Sequence, residues 1–307
     1  MLDGGKVKAA PRELPVESLY LPPIGKPLLR DQASALHRLR SFYQSFSTAY
    51  MNAGTWFNFP NKTGDGAVEL WLSGSAYRVR ETIDPRLGLA SGLEAAYDGE
   101  HYQLLYLDDS RLTLSREDPI QRPAPFPDPL FLPLAFLSPE SDTCQACVLT
   151  LPAAQDNARW QERIGAGRTV EASSKAIVLA LPGTRIAGQP FYFRVVIDPV
   201  HDLVSRIEWV RQDGRIIKSL ELLRYEKAEG SKQLFPRHLV MNAFDEQGKR
   251  LGSAHFMVKA LRLNAPIDAE RFQIPFAAAG TVVDEDAHTF LKHPQLNKNS
   301  EFPPGHY

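Results

Sequence analysis

Apolar and polar residues alternate with a period of two through Gly66 to Ser115, which reads GAVELWLSGSAYRVRETIDPRLGLASGLEAAYDGEHYQLLYLDDSRLTLS. Val68, Leu70 and Leu72 fall on one face, and Glu69 and Trp71 on the other. Tyr77 and Val79 then alternate with Arg78 and Arg80, the spacing of half-buried strands. Ser73-Gly74, Asp84-Pro85, Asp98-Gly99 and Asp108-Asp109 supply the reversals between runs, so the stretch predicts four or five antiparallel strands joined mostly by hairpins. Tyr102 to Leu107 is apolar on both faces, and a strand of that kind needs a cover on each side, either the protein's own elements or a guest.

The pattern differs on either side. Residues 1 to 30 carry five prolines without lasting periodicity and read as an extended arm. From Asp31 to about Ala53 the period is three to four, through Ala35, Leu36, Leu39, Phe42, Phe46 and Tyr50, which predicts a helix ended by Gly54. Asp118 to Pro139 holds seven prolines among Phe126, Leu130, Phe131, Leu132, Leu134, Phe136 and Leu137. Proline excludes a central strand there, and the apolar content argues for a lid or crossover laid on an apolar surface. A second helix is predicted over 152–164. Strand patterning returns near 175–181, 190–198, 203–211, 214–226, 233–244 and 251–263, with Asp213-Gly214 as a hairpin signal. No compositional linker divides these runs, which predicts one domain over 31–286 and a loosely attached tail over 287–307.

Composition narrows the function. The chain has 307 residues, 43% hydrophobic and 23% charged, with a formal net charge of -1. That balance gives no broad attraction for nucleic acid or an anionic membrane, and no nucleic-acid-binding motif occurs. No apolar stretch approaches the roughly 20 residues of a membrane-crossing helix. The N-terminus lacks the apolar core of a secretory signal.

Candidate chemistry is sparse. The eight histidines form neither HxxxH nor HExxH, no G-x-S-x-G elbow occurs, and Gly165-Ala166-Gly167 lacks the rest of a phosphate loop. Asp108-Asp109 and Asp284-Glu285-Asp286 fall in turns, where hydration accounts for them. Cys144 and Cys147, in CQAC, have no second pair to complete a zinc site, leaving a local disulfide or inert thiols as the readings. These patterns predict a non-enzymatic protein with no metal or cofactor.

The order helix, strands, apolar lid, short helix and second strand run resembles the LolA/LolB-type lipoprotein-carrier family. Ser41-Phe42-Tyr43-Gln44-Ser45-Phe46 is similar to its Ser-Phe-x-x-x-Phe helix end, and Glu69-Leu70-Trp71-Leu72 with Tyr77-Arg78-Val79 to two of its strands. Asp98-Gly99 before Tyr102 to Tyr106 resembles its Asp-Gly-Lys hairpin. Asp268 to Phe272 and Gly280-Thr281-Val282-Val283-Asp284 resemble its closing strand and turn. The resemblance spans about residues 35 to 286. It implies an unclosed antiparallel half-barrel, mostly β with helices, of about ten or eleven strands covered by an N-terminal helix and a lid. It further implies a periplasmic or cell-envelope protein that binds or transports acyl chains of lipids or lipoproteins, with a membrane-anchored donor or acceptor as a further partner. A protein-binding or sensing module on the same fold is the alternative.

The apolar cavity expected from these readings is lined by Leu70, Leu72, Tyr77, Val79, Leu104 and Tyr106, with Leu130, Phe131 and Leu134 from the lid. The resemblance makes Arg78 a latch that donates to lid backbone carbonyls. The residue pattern alone equally allows it a place on the solvent face beside Arg80. An arginine keeps its charge, so a buried one must find acceptors.

Overall fold

The computed structural model describes residues 20, 22–60, 62–83, 92–116, 133, 156–186 and 189–292. A two-residue strand β1 (Lys26–Pro27) precedes helix α1 (Arg30–Gln44). Six strands follow: β2 (Thr48–Phe59), β3 (Lys62–Ser73), β4 (Ala76–Ile83), β5 (Gly92–Tyr97), β6 (Tyr102–Tyr106) and β7 (Arg111–Ser115). Helix α2 (Asp156–Ala166) leads into β8 (Arg168–Ala172), β9 (Ile177–Ile186), β10 (Gln189–Asp198), β11 (Leu203–Arg211), β12 (Ile216–Lys227), β13 (Leu234–Phe244) and β14 (Arg250–Leu263). Short strands β15 (Thr281–Asp284) and β16 (Thr289–Lys292) close the described chain.

All sixteen strands form one sheet in the order β1-β8-β9-β10-β11-β12-β13-β14-β2-β3-β4-β5-β6-β7-β15-β16. Pairing is antiparallel except where β15 runs parallel to β7. Among the described residues the result is an unclosed half-barrel, mostly β with two α-helices, and the open, mostly β architecture is what the resemblance implied. The strand count exceeds the expected ten or eleven because the short strands β1, β8, β15 and β16 extend the two ends of the sheet and the first half of β2 lay inside the predicted helix. That helix ends at Gln44 rather than near Ala53. Ala49, Met51 and Ala53 are buried while their neighbours face outward, so the period there is two. Gly54 is a mid-strand residue of β2 and terminates nothing.

Cross-strand register explains the core. Leu261, Met51, Leu70, Val79, Ala95 and Leu104 are successive partners across β14, β2, β3, β4, β5 and β6, and so point to one face. This inner face continues through Phe256, Leu239, Leu222, Ile207, Val195 and Leu179 into a single apolar cluster that spans the sheet. Leu36 of α1 and Ile164 of α2 join it. A one-residue slip in any of these strands would turn its apolar set outward, at about 1.5–3 kcal/mol for each buried side chain. Gln32 anchors the start of α1: its side-chain oxygen accepts from the Leu29 amide (2.9 Å) and from the Thr169 hydroxyl of β8 (2.5 Å).

The outer face of β5 to β7 is apolar too, through Ala96, Leu105 and Leu112. Its cover is the chain itself. After β14 the segment 264–280 crosses the outside of the sheet, and Ile274, Ala279 and Val282 pack on those residues. The run Tyr102 to Leu107 is therefore apolar on both faces because the C-terminal strap supplies its second cover.

The described arm residues also join the sheet. Tyr20 bridges Gly183, and Lys26 and Pro27 pair with Thr169 and Arg168. Thr289 to Lys292 pair with β15.

Candidate functional site

The structure places the sequence-derived cavity set on the inner face of β3, β4 and β6. Leu70, Leu72, Tyr77 and Val79 are each at most 2% exposed within the main cluster, and Leu104 packs against it half-buried. Tyr106 is half-buried on the same face, with Arg111 over its ring at 4.8 Å. Leu130, Phe131, Leu134, Cys144 and Cys147, and all of 118–139 except Pro133, lie outside the described residues.

On the outer face, two rows of side chains make the floor of a cleft. One row is Arg262, Tyr50, Trp71 and Arg78, each the register partner of the next. The neighbouring row is Ala260, Asn52, Glu69, Arg80 and Glu94. The strap segment 265–271 forms the far wall, and the cleft, open to solvent on one side, has a volume of about 600 Å3. A smaller recess of about 340 Å3 lies beside it, between Ser73, Asp98 and the strap residues Ile267 and Phe272.

Arg78 fixes this geometry. Its Nε donates to Glu94 Oε1 at 2.5 Å, and the pair is well buried, with side-chain exposures of 16% and 4%. Its Nη1 donates to the backbone carbonyls of Arg271 and Gln273, each at 3.1 Å. Arg78 therefore does hold backbone carbonyls, but those among the described residues belong to the C-terminal strap on the outer face. It stands beside Arg80, as the residue pattern allowed. Further ties hold the strap: the Ile274 amide donates to Gln103 Oε1 (2.6 Å) and Gln273 Nε2 to Asp98 Oδ2 (3.3 Å). Burial pushes the Asp98 carboxyl up, but amides of His101 and Glu100 outweigh it and hold the group below its ordinary value.

Aromatic rings and guanidinium groups alternate over the floor. The Tyr50 and Trp71 ring centres are 5.6 Å apart. Arg78 and Arg271 each bring Cζ to 5.7 Å from Trp71, and Arg262 to 5.9 Å from Tyr50. Glu69 accepts from the Tyr50 hydroxyl and from Asn52, both at 3.3 Å. Burial, then the Glu69 charge, raises the Tyr50 phenol above its ordinary value. Sequence reading missed this cleft. Its one signal was the alternation of Trp71 and Glu69 with Leu70, and of Arg78 and Arg80 with Val79.

Among the described residues no three His, Cys, Asp or Glu side chains converge as a metal site would need, and no helix is long and apolar enough to cross a membrane.

No protein-family model and no curated protein matches the chain. Solved structures do. A DUF1329 family protein from Desulfovibrio piger aligns over 81% of this chain and 98% of its own, at 11% identity and a TM-score of 0.50. A domain described as outer membrane lipoprotein-sorting, from Vibrio parahaemolyticus, aligns over 78% and 95%, at 12% identity and a TM-score of 0.47. A LolA superfamily protein from Nitrosomonas europaea aligns over 78% and 96%, at 12% identity and a TM-score of 0.44. At such identities the likeness is one of fold. LolA-superfamily proteins, the family that the strand and turn motifs resemble, thus stand among the solved structures similar to this chain.

Proposed function

We propose that the protein is a non-enzymatic binding protein of the cell envelope that holds the acyl chain of a lipid or lipoprotein on the inner face of its open sheet. The observation that carries this reading is the continuous apolar inner surface on a sheet that does not close on itself. A closed barrel would seal such a surface, whereas on an open sheet it is covered by packed side chains, Leu36 of α1 and Ile164 of α2 among them, which an entering chain would displace. Burying one acyl chain supplies on the order of 10 kcal/mol gross, at about 0.8 kcal/mol per methylene, before the costs of association. Leu70, Leu72, Tyr77, Val79, Leu104 and Tyr106 supply the wall. A membrane-anchored donor or acceptor protein is the expected exchange partner.

The test is lipid extraction and mass spectrometry of the protein as purified from its native envelope, with titration of a fluorescent fatty acid. Co-purified lipid and saturable one-to-one uptake support the reading. Absence of both overturns it.

A second reading, a protein-binding module, is favoured by one feature. Edge strand β16 exposes Phe290 and Leu291 at 55% and 51%, and a sheet edge can take an added strand from a partner. Native mass spectrometry separates the two, since this reading requires a stoichiometric polypeptide in place of lipid.

A further inference from the structure

We propose that the outer-face cleft beneath the C-terminal strap is a binding site for an organic phosphate, recognised by Arg80 and Arg271 over the Tyr50–Trp71 floor. The site lies on the face opposite the acyl-binding surface and does not rest on that reading.

The argument begins with charge. Four guanidinium groups line the cleft, from Arg78, Arg80, Arg262 and Arg271, together with the carboxylates of Glu69, Glu94 and Asp268. Arg78 and Glu94 satisfy each other at 2.5 Å. Arg262 pairs with Glu229 at 3.1 Å. Glu69 accepts from the neutral Tyr50 hydroxyl and Asn52 amide and keeps its charge. Arg80 lies in register between Glu69 and Glu94, yet makes an ion pair with neither. Arg271 likewise has no carboxylate within ion-pair distance among the described residues. Among the described residues its side chain lies over the Trp71 ring. Two guanidinium groups therefore face the cleft outside any ion pair among the described residues, with the carboxylates of Glu69 and Asp268 as the remaining charges of its lining.

Chemistry and size select the ligand. A guanidinium offers a planar fork of N–H donors that matches the paired oxygens of a phosphate, and two such forks around one anion make strong charge-assisted hydrogen bonds. A volume of about 600 Å3 is in the range of small-molecule pockets, far beyond what the anion alone occupies. The surplus lies over Tyr50 and Trp71, so the phosphate should be esterified to a group that packs on aromatic faces. A soluble phosphate ester and the headgroup of an anionic phospholipid share this chemistry.

The strap makes the test clean. Arg78 holds the backbone carbonyl of Arg271, not its side chain, and both Arg80 and Arg271 are exposed. Replacing their side chains removes charge and leaves the wall in place. The full chain would be titrated calorimetrically with phenyl phosphate, and sedimented with phosphatidylcholine vesicles with and without phosphatidylglycerol. Saturable binding of phenyl phosphate alone assigns a soluble ester, and sedimentation only with phosphatidylglycerol assigns a headgroup. In either case the Arg80→Gln/Arg271→Gln variant should bind at least about tenfold more weakly at an unchanged melting temperature, and added salt should weaken the wild type. Arg80→Lys/Arg271→Lys should recover part of the loss. Binding of neither probe, or equal binding by wild type and the glutamine variant, overturns the proposal.

Discussion

Nε2 of His238 lies 3.2 Å from Nδ1 of His255, across the outer face of β13 and β14. The His255 ring stacks on Trp56 of β2 with centres 4.2 Å apart and planes 12° from parallel. An N–H···N contact needs one ring nitrogen as acceptor, so a second proton on the pair breaks it. Both imidazoles sit below their ordinary value, first through desolvation, with Arg224 acting on His238, and His238 and Arg250 acting on His255. Glu221 opposes the shift at both and does not reverse it.

The sign of the pH dependence follows. A histidine with a depressed folded-state value takes up its proton more readily in the unfolded chain, so its stabilising contribution is complete above the unfolded value and is lost as pH falls through the folded one. Thermal melts between about pH 8 and pH 5 should show stability falling on the acid side of about 6.5. That component should shrink in His238→Gln and in His255→Gln. A slope unchanged in both variants would assign the loss to other groups.

Arg78→Met should cost about 3 kcal/mol, because it leaves the Glu94 carboxylate buried without its partner. It also frees two strap carbonyls. Denaturant unfolding gives the energy, and amide exchange at the Ile274 N–H, held by Gln103, reports the loosened strap. Arg78→Lys should recover little, since one ammonium cannot reproduce the fork that reaches Glu94 and both carbonyls.

Gly230 turns the chain after β12 with φ +81°. A Cβ there would stand 2.0 Å from the Leu263 carbonyl oxygen. The adjacent Leu263 amide donates to Glu229 at 2.7 Å, so the two segments cannot simply part. Gly230→Ala should therefore destabilise by about 2–4 kcal/mol, read from chemical denaturation.

The Tyr225 hydroxyl of β12 donates to the Val204 carbonyl of β11, and burial raises its phenol well above the ordinary value. Tyr225→Phe removes that donor and leaves the carbonyl without it, which should cost about 1 kcal/mol. A variant as stable as the wild type would show that water replaces the hydroxyl at no cost.

Much of the sheet was legible because its strands alternate cleanly. The segments read at 190–198 and 203–211 lie within a residue of β10 and β11. The misread stretch is instructive. Phe42, Phe46 and Tyr50 repeat every four residues, and Ala49, Met51 and Ala53 are good helix formers, so local preference carried the helical pattern across Ser45 to Ser47. Pairing on both edges, with β3 and with β14, overrides that preference.

The cleft was not legible for a different reason. Its floor follows from alternation, but its wall exists only because 265–273 doubles back over β2 to β5, where the resemblance implied a closing strand at Asp268 to Phe272 and the structure has a 3-10 turn over Ala269–Phe272. A charged pair like that of Arg78 and Glu94 recurs in the other half of the sheet, where Arg194 holds Glu208. In both, an arginine flanked by apolar strand residues marks the carboxylate's partner, a signal present in Tyr77-Arg78-Val79 and in Phe193-Arg194-Val195.

The seam between β2 and β14 carries a consequence for biogenesis. Ala49 has Leu263 as its neighbour, so during synthesis the first long strand waits, one flank unpaired, until nearly all the described chain has left the ribosome. Truncation anywhere before β14 would leave that flank bare at the centre of the sheet, not at its rim, and the nascent chain would need a holding partner until its own C-terminal strand arrives.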